Sequence, residues 1–265
     1  LALGLRTAFS QRHSVYVDGG ENNVRWGVEL NFNGNNGVMQ KSNRNVTGAG
    51  FYVDYRIGKF QVKNKTTFTF GSSNDVPFNS FSDYSHLNPY LRIYDEDGNY
   101  LRKLESFSGY SGSLVNPLYE IHNYNSYDKS NYYEIVDNLL VNWNITKDLR
   151  LRLQMSATIK RENSELYKDP ASASYGTANL SLNGDKSVSS GDSNIIDGTL
   201  QLMYNKSIKK HYLNMNLSSN LRSSKYTTEY ADYRGFPGGD LTSSNYAAQI
   251  VNKPTRNDSR SRLLG

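Results

Sequence analysis

The chain has 265 residues, with 30 Lys and Arg against 25 Asp and Glu and a formal net charge of +5. It contains no cysteine, which excludes a disulfide scaffold, a thiolate metal site and a cysteine nucleophile. No apolar run approaches the ~18 residues of a transmembrane helix, and 12% aromatic residues are too many for a disordered chain. A hydrophilic chain with 21 Tyr and 21 Gly is typical of β-structure.

Eight β-strands are predicted, because apolar and polar residues alternate with a period of two and no helical period is sustained. The alternation is clearest in 24–32 and 149–159, and these strands have the length of tilted transmembrane strands. The prolines all fall outside the strands, as a hydrogen-bonded ladder requires. In chain order the predicted strands are 11–17, 24–32, 51–57, 60–70, 139–145, 149–159, 196–208 and 211–221.

Short and long connections alternate along the chain. The short ones are 18–23, 58–59, 146–148 and 209–210, and the long ones are 34–48, 71–131, 163–194 and the segment after 223. In an up-and-down meander, this alternation places all short turns on one edge and all long loops on the other. The pattern predicts an all-β, antiparallel up-and-down transmembrane β-barrel with short periplasmic turns and long external loops, of which this chain supplies about eight strands.

A soluble β-sandwich also alternates apolar and polar residues and is the alternative to the barrel. Segment 71–131 argues against it, because structureless loops beyond roughly 20 residues are abnormal in compact soluble domains. In a barrel the polar strand face lines a wet lumen, whereas in a sandwich it faces solvent. The residues predicted to face the lumen are Arg25, Glu29, Arg56, Lys63, Arg150 and Arg152.

The motifs of catalysis are not recognisable in this sequence. The four histidines are dispersed, and there is no nucleophile elbow, phosphate-binding loop or dinucleotide fingerprint. Asp95, Asp97 and Asn99 alternate like calcium ligands, but the distal Glu of an EF-hand loop is missing, so a polar hairpin turn is favoured over a weak metal site. Lys and Arg form no basic stripe. We predict a non-enzyme that needs no cofactor and binds no nucleic acid.

Segment 71–131 is dense in aromatic residues, which bury much area at low entropic cost. They either contact a ligand or partner, or hold the long loop together as its own small core. The candidate contact residues are Tyr84, Tyr90, Arg92, Tyr94, Tyr110 and Tyr119, together with Phe236 in a later loop.

An ordered series of short motifs resembles the SusC/RagA-type TonB-dependent outer-membrane transporters. Each motif is weak alone, but their order and spacing match over most of the chain. The matching stretches are 15–20 with 36–38, Asn88–Arg92 with Tyr94–Gly98, Asn116–Tyr119 and Arg234–Pro237.

The resemblance implies a barrel of about 22 strands with an N-terminal plug. It implies an importer of oligosaccharides or peptides in the outer membrane of a Gram-negative bacterium, working with a SusD-like surface lipoprotein and with TonB, and surrounded by membrane lipid and lipopolysaccharide. Residues 1–265 are then expected to be part of one barrel domain, with the plug, the TonB contact and the terminal strands outside this chain. The alternatives are a passive porin-like barrel, a β-rich surface adhesin or lectin, and a barrel enzyme.

Overall fold

The protein is described by a computed structural model that covers residues 5–75, 88, 90–104, 114–175 and 180–265. Strands make up most of these ranges, with one α-helix and two short 3-10 helices, Leu180–Leu182 and Ser244–Tyr246, among them. In chain order the elements are β1 Ser10–Glu21, β2 Val24–Asn36, β3 Asn43–Ile57, β4 Phe60–Asp75, β5 Lys103–Leu104, β6 Leu114–Val115, α1 Pro117–Asn123, β7 Tyr127–Asn144, β8 Leu149–Lys168, β9 Asp185–Ile208, β10 His211–Arg234, β11 Gln249–Ile250 and β12 Thr255–Leu264.

One sheet of ten strands dominates the structure, in the order β1-β2-β3-β4-β7-β8-β9-β10-β11, with β12 also paired to β10. Every pair in this sheet is antiparallel, and successive long strands are neighbours. A two-stranded ladder of β5 and β6 lies between β4 and β7 in the chain, together with α1. The predicted all-β, up-and-down architecture is therefore confirmed.

The strands are longer than the alternation predicted, and the extra length lies almost entirely on the long-loop side. β8 continues to Lys168 and β10 to Arg234, so the predicted loops 163–194 and 223 onward are strand for part of their length. In the same way, β4 and β7 extend into the predicted loop 71–131. Backbone pairing does not need an apolar face, so the ladder continues where both faces are polar and the sequence signal has disappeared.

Strand β12 was not predicted. Its sequence, Thr255–Leu264, has charged and polar residues on both faces until the final two leucines, so no alternation marks it. It forms because β10 offers a free edge, which it pairs from Leu221 to Tyr230. Nine of the ten strands in the sheet are long, and the predicted number of about eight omitted this one.

Short and long connections alternate as predicted. The short turns are 22–23, 58–59, 145–148 and 209–210, and the long connections follow β2, β4, β8 and β10. The register aligns the apolar faces of neighbouring strands into continuous rows. One such row contains Val15, Leu30, Ala49, Phe68, Ile135 and Ile159.

Many of the large apolar side chains on this face are exposed, including Leu30, Phe51 and Leu217. An exposed apolar face of this size is typical of a surface that contacts another protein or a membrane. No helix in the described ranges is long and apolar enough to cross a membrane.

Candidate functional site

We use the name outer lobe for the described loop residues 90–104, 114–126, 169–175, 180–184 and 235–248. All of them follow or precede strand ends on the long-loop edge. Within the described part of the chain, the buried hydrophobic side chains lie in the lobe or at the strand end beneath it. They are Leu104, Leu118, Ile121, Tyr167, Ala173 and Phe236. Among the described residues, the packed apolar interior is therefore in the loops and not in the sheet.

Helix α1 is the centre of the lobe, and Asn116 holds its start. The side chain of Asn116 is fully buried, and its Oδ1 accepts the N–H of Leu118 at 3.1 Å as an N-cap. Its Nδ2 donates to the carbonyls of Leu101 at 2.7 Å and Ile93 at 3.3 Å. Pro117 follows at the first helical position, where no N–H is needed. One side chain therefore caps the helix and fastens it to the preceding segment.

Apolar and aromatic contacts complete this packing. Leu118 and Ile121 form the buried centre, against which Met39, Ile93 and Tyr100 pack. The Tyr100 ring lies 4.8 Å from both the Tyr94 and the His122 rings, and it is stacked on His122. The aromatic residues of the long loop thus build a small core, which is one of the two roles predicted for them.

Polar contacts join the α1 segment to the later loops. Glu120, almost fully buried, accepts the N–H of Ala173 on Oε1 at 2.7 Å, while its Oε2 has no hydrogen-bond partner among the described residues. The guanidinium of Arg102 donates to the carbonyl of Ala171 at 2.9 Å, and Asn125 donates to Asp240 at 2.9 Å. These contacts therefore hold the long connections after β4, β8 and β10 together as one body.

Burial raises the pKa of two tyrosines in the lobe. Burial, and then the hydroxyl of Tyr119, raise the pKa of Tyr124 to about 12. Burial, and then its hydrogen bond to Asp185 at 2.6 Å, raise the pKa of Tyr175 as well. Both hydroxyls therefore stay protonated at neutral pH and act as hydrogen-bond donors.

Phe236 joins the last loop to the sheet. Its ring meets that of Tyr167 edge-on at 5.3 Å, and both side chains are buried. Gly235 precedes it with a φ of 79°, in the left-handed region that favours glycine. Phe236 was predicted to contact a ligand or partner, but in this chain its side chain is inside the lobe and not on the surface.

The other predicted contact residues have different surroundings. Tyr90 is 94% exposed, whereas Tyr94 and Tyr119 are half-buried against Tyr100 and Tyr124. Arg92 is exposed and donates to the carbonyl of Tyr94 at 2.8 Å. Tyr84 and Tyr110 lie outside the described residues.

Asp95, Asp97 and Asn99 lie in a turn between the bridged residues Tyr94 and Tyr100. The Oδ1 of Asp95 accepts the N–H of Asp97 at 3.0 Å and that of Asn99 at 2.8 Å. This carboxylate therefore stabilises the turn itself. In the ranges that the structure describes, no group of three or more His, Asp or Glu residues is placed to hold a metal ion.

The turn should weaken in acid. The N–H of Asn99 holds the pKa of Asp95 below its ordinary value, so the folded turn favours the carboxylate. The stabilisation is complete above the unfolded pKa of about 4 and is lost as pH falls through the lower folded value. Amide protection of Asp97 and Asn99, corrected for intrinsic exchange, is expected to fall at that lower pH. Asp97→Asn should leave this pH dependence of amide protection unchanged. If protection in the wild-type protein does not fall in acid, Asp95 is not the group that stabilises the turn.

The six predicted lumen residues share the polar face of the sheet, where opposite charges meet. Asp54 lies 3.2 Å from Lys63 and 3.6 Å from Arg56. Lys65 lies 4.0 Å from Glu29. On β8, the Nε atoms of Arg150 and Arg152 donate to Asn144 and Asn142 at 2.8 and 3.0 Å.

A shallow cavity of about 480 Å³ opens on this polar face between β1 and β8. Tyr16 and Tyr52 stack over its floor with centroids 6.5 Å apart, and their hydroxyls are 3.2 Å apart. Gly27 makes room for them, because a Cβ there would lie 2.3 Å from the Tyr52 ring. Aromatic rings beside Glu29, Lys63 and Lys65 give this face both stacking surface and charge.

Sequence reasoning missed several residues that build the lobe. Asn116 and Pro117 do carry a recognisable helix-start signal, an N-cap followed by proline. Glu120 and Tyr167 carry none, because their partners lie far away in sequence.

Solved structures of similar fold were found, although no protein-family model and no curated protein matches the sequence. The chain superposes on a chain of the RagAB peptide importer in its closed-closed state with a TM-score of 0.80 and 15% identity, covering 98% of this chain and 29% of that chain. The open-open state of the same importer gives a TM-score of 0.78 at 14% identity, with the same coverage. A RagAB peptide transporter structure gives 0.78 at 14% identity, covering 99% and 30%.

The fold is therefore that of part of these transporter chains. This chain spans less than a third of their length.

Proposed function

We propose that this chain forms part of the barrel wall of a SusC/RagA-type outer-membrane importer that takes up peptides or oligosaccharides. The observation that carries the proposal is the superposition of 98% of the chain on the RagAB peptide importer. The order of the short motifs along the sequence supports the same family.

The two faces of the sheet fit such a wall. On β4, one face carries apolar residues from Phe60 to Phe70, with Asn64 and Thr66 between them. This stretch is about 33 Å along the strand and roughly 25 Å high at a barrel tilt. This is the height of the apolar band on an outer-membrane barrel. The opposite face, with Asp54, Lys63 and Glu29, suits a wet lumen along which a polar solute passes.

In this arrangement the outer lobe faces the outside of the cell, opposite the short periplasmic turns. It would meet a SusD-like surface lipoprotein and the incoming ligand. TonB would act through a part of the protein outside this chain, and lipid and lipopolysaccharide would surround the apolar band. The chemistry of the site is binding and passage, without catalysis.

Membrane fractionation tests the location. The full-length protein is expected in the outer-membrane fraction, resistant to alkaline washing and extracted only by detergent. A protein recovered in soluble form without detergent would overturn the proposal in favour of a surface adhesin or lectin. Loss of TonB should then stop uptake, whereas a passive porin-like barrel would keep transporting.

Tyr90→Ala in the full-length protein is expected to weaken ligand or lipoprotein binding by roughly 1 kcal/mol, about fivefold in Kd. The Tyr90 ring is 94% exposed, so its removal leaves the lobe packing intact. Tyr94→Ala should weaken binding further, because it also removes the contact with Tyr100. Titration calorimetry measures both, with Tyr212→Ala on the opposite edge as the matched control. Wild-type affinity in both lobe variants would contradict a binding role for this segment.

A further inference from the structure

A cleft of about 360 Å³ opens where three long connections meet at the outer edge of the sheet. Lys41 comes from the connection after β2, Tyr124 from the one after β4, and Asp240 from the one after β10. Asn74 of β4 and Lys129 of β7, which pair directly in the ladder, line the strand side of the cleft. We use the name rim cleft for the space between these five residues.

The rim cleft lies on the same face of the sheet as the exposed apolar side chains. On β4, Asn74 shares the strand face of Phe68 and Phe70 and lies four residues beyond Phe70. On β7, Lys129 lies four residues before Tyr133, which pairs with Phe70. Four residues are about 13 Å of strand, or roughly 10 Å in height at a barrel tilt. The cleft therefore opens just above the apolar face.

Two ammonium groups of the rim cleft, those of Lys41 and Lys129, form no ion pair in the described part of the chain. Lys129 Nζ lies 4.2 Å from the centroid of the Tyr127 ring. Lys41 has a φ of 63°, in the left-handed region that few residues with a side chain adopt. Burial lowers the pKa of Lys41, and a bound anion would offset that effect by stabilising the charged form.

The rim cleft also contains oxygen atoms that can accept further hydrogen bonds. Asn74 Nδ2 donates to the carbonyl of Lys41 at 2.6 Å, whereas the buried Asn74 Oδ1 has no hydrogen-bond partner among the described residues. A buried amide oxygen without a donor costs free energy. Asp240 accepts from Asn125 on Oδ1 at 2.9 Å, and no side-chain hydrogen bond in the described ranges involves its Oδ2. The cleft therefore suits a ligand that combines an anion with hydroxyl donors.

We propose that the rim cleft binds the phosphorylated sugar head group of a lipopolysaccharide molecule in the outer leaflet. This inference rests on the proposed function, since it requires the apolar face to lie in the outer membrane with the long loops outside. The phosphate accepts from Lys41 and Lys129, and sugar hydroxyls donate to Asn74 Oδ1 and Asp240 Oδ2. The Tyr127 ring beside Lys129 provides an apolar surface on which a sugar can pack.

The position of the cleft favours a lipid over a dissolved ligand. Acyl chains attached to a head group in the cleft would extend along Phe70 and Tyr133, which lie on the same face below it. The polar layer of a membrane begins where the hydrocarbon ends, so the cleft has the height of that layer. A phospholipid head group also carries a phosphate, but it is smaller and offers fewer hydroxyl donors for the two oxygens.

Native mass spectrometry of the purified full-length protein in mild detergent tests this site. The probes are phosphorylated lipid A, which is the disaccharide anchor of lipopolysaccharide, the same lipid A after removal of its phosphates, and phosphatidylethanolamine. The double variant Lys41→Gln with Lys129→Gln is expected to bind phosphorylated lipid A at least about tenfold more weakly than the wild-type protein. Removal of the phosphates should weaken wild-type binding by a similar factor, but binding to the double variant by less than about twofold.

The matched control is Lys209→Gln with Lys210→Gln, which removes the same charge from two exposed lysines in a short turn at the opposite edge. This control should bind phosphorylated lipid A like the wild-type protein. Unchanged heat-modifiable migration on gels shows that each variant barrel is folded.

Equal binding of phosphorylated lipid A by the two double variants would overturn the proposal. Lysine-dependent binding of phosphatidylethanolamine that is as tight as that of lipid A would also overturn it, because the sugar would then not be recognised. The membrane fractionation is scored separately. A membrane-embedded protein without lysine-dependent lipid A binding rejects the rim cleft alone, and a soluble protein rejects the proposed function as well.

Discussion

Gly235→Ala is expected to release the last loop of the outer lobe from the end of the sheet. With a φ of 79°, Gly235 has a conformation that costs an L-residue roughly 1–2 kcal/mol. A Cβ there would also lie 2.7 Å from the carbonyl oxygen of Ser181 and 2.6 Å from the Cβ of Ala248. Because one of these atoms is backbone, the chain itself must shift, and we expect a total cost of about 3 kcal/mol.

The contacts at risk are specific. The N–H of Gly235 donates to Gly184 at 2.9 Å, and its carbonyl accepts the N–H of Ala248 at 2.7 Å. Hydrogen exchange of segments 180–184 and 235–248 should therefore rise about 100-fold, while exchange in the strands stays unchanged.

Gly239→Ala is the control for this prediction. Gly239 also has a positive φ, of 64°, but nothing lies within 4 Å of the position of a new Cβ. Gly239→Ala should cost only the free energy of placing an alanine in this backbone conformation, about 1 kcal/mol. If both variants exchange at the same rate, close packing at Gly235 is not what holds the loop.

Asn116→Ala should destabilise the other half of the lobe by about 3 kcal/mol. The substitution removes the cap of α1 and leaves the carbonyl of Leu101 without its side-chain donor. Since α1 has only seven residues, it has little stability of its own and should unfold locally. Limited proteolysis is expected to cut between 90 and 126 at least about ten times faster than in the wild-type protein.

Asn123→Ala provides the matched comparison on the same helix. Its side chain is exposed, and among the described residues it donates only to the carbonyl of Tyr119 at 3.1 Å. We expect a loss within about 0.5 kcal/mol and no change in proteolysis. Wild-type resistance in Asn116→Ala would show that the buried amide does not hold α1 in place.

The strands were predictable wherever one face is apolar along their length. Residues 24–32 of β2 and 149–159 of β8 satisfy this condition, and both predicted segments lie within the observed strands. The outer half of β7 was missed because Asp137 breaks the alternation, and β12 because its residues are polar on both faces. In both strands, hydrogen bonding to a neighbour decides the structure, and the sequence pattern of a single strand does not contain that information.

The site was less predictable than the sheet. The six charged residues assigned to the polar face followed from strand parity alone and lie on that face in the structure. Phe236 shows the limit of sequence reasoning. It was predicted to contact a ligand or partner, whereas its ring packs against Tyr167 in the interior of the lobe. An aromatic residue stabilises a core as readily as an interface, and only its surroundings distinguish the two.

The sequence by itself determined the alternation of faces, the two kinds of connection and the absence of cysteine chemistry. These properties are local, since a period of two and a turn of two residues need no knowledge of distant partners. Only the tertiary structure decided that the loops form one packed lobe and that Asn64, Thr66 and Asp137 meet on the apolar face. Those contacts join residues that are far apart in sequence, such as Glu120 with Ala173 and Thr66 with Asp137. Strand register and loop packing set such distances, and no single segment encodes them.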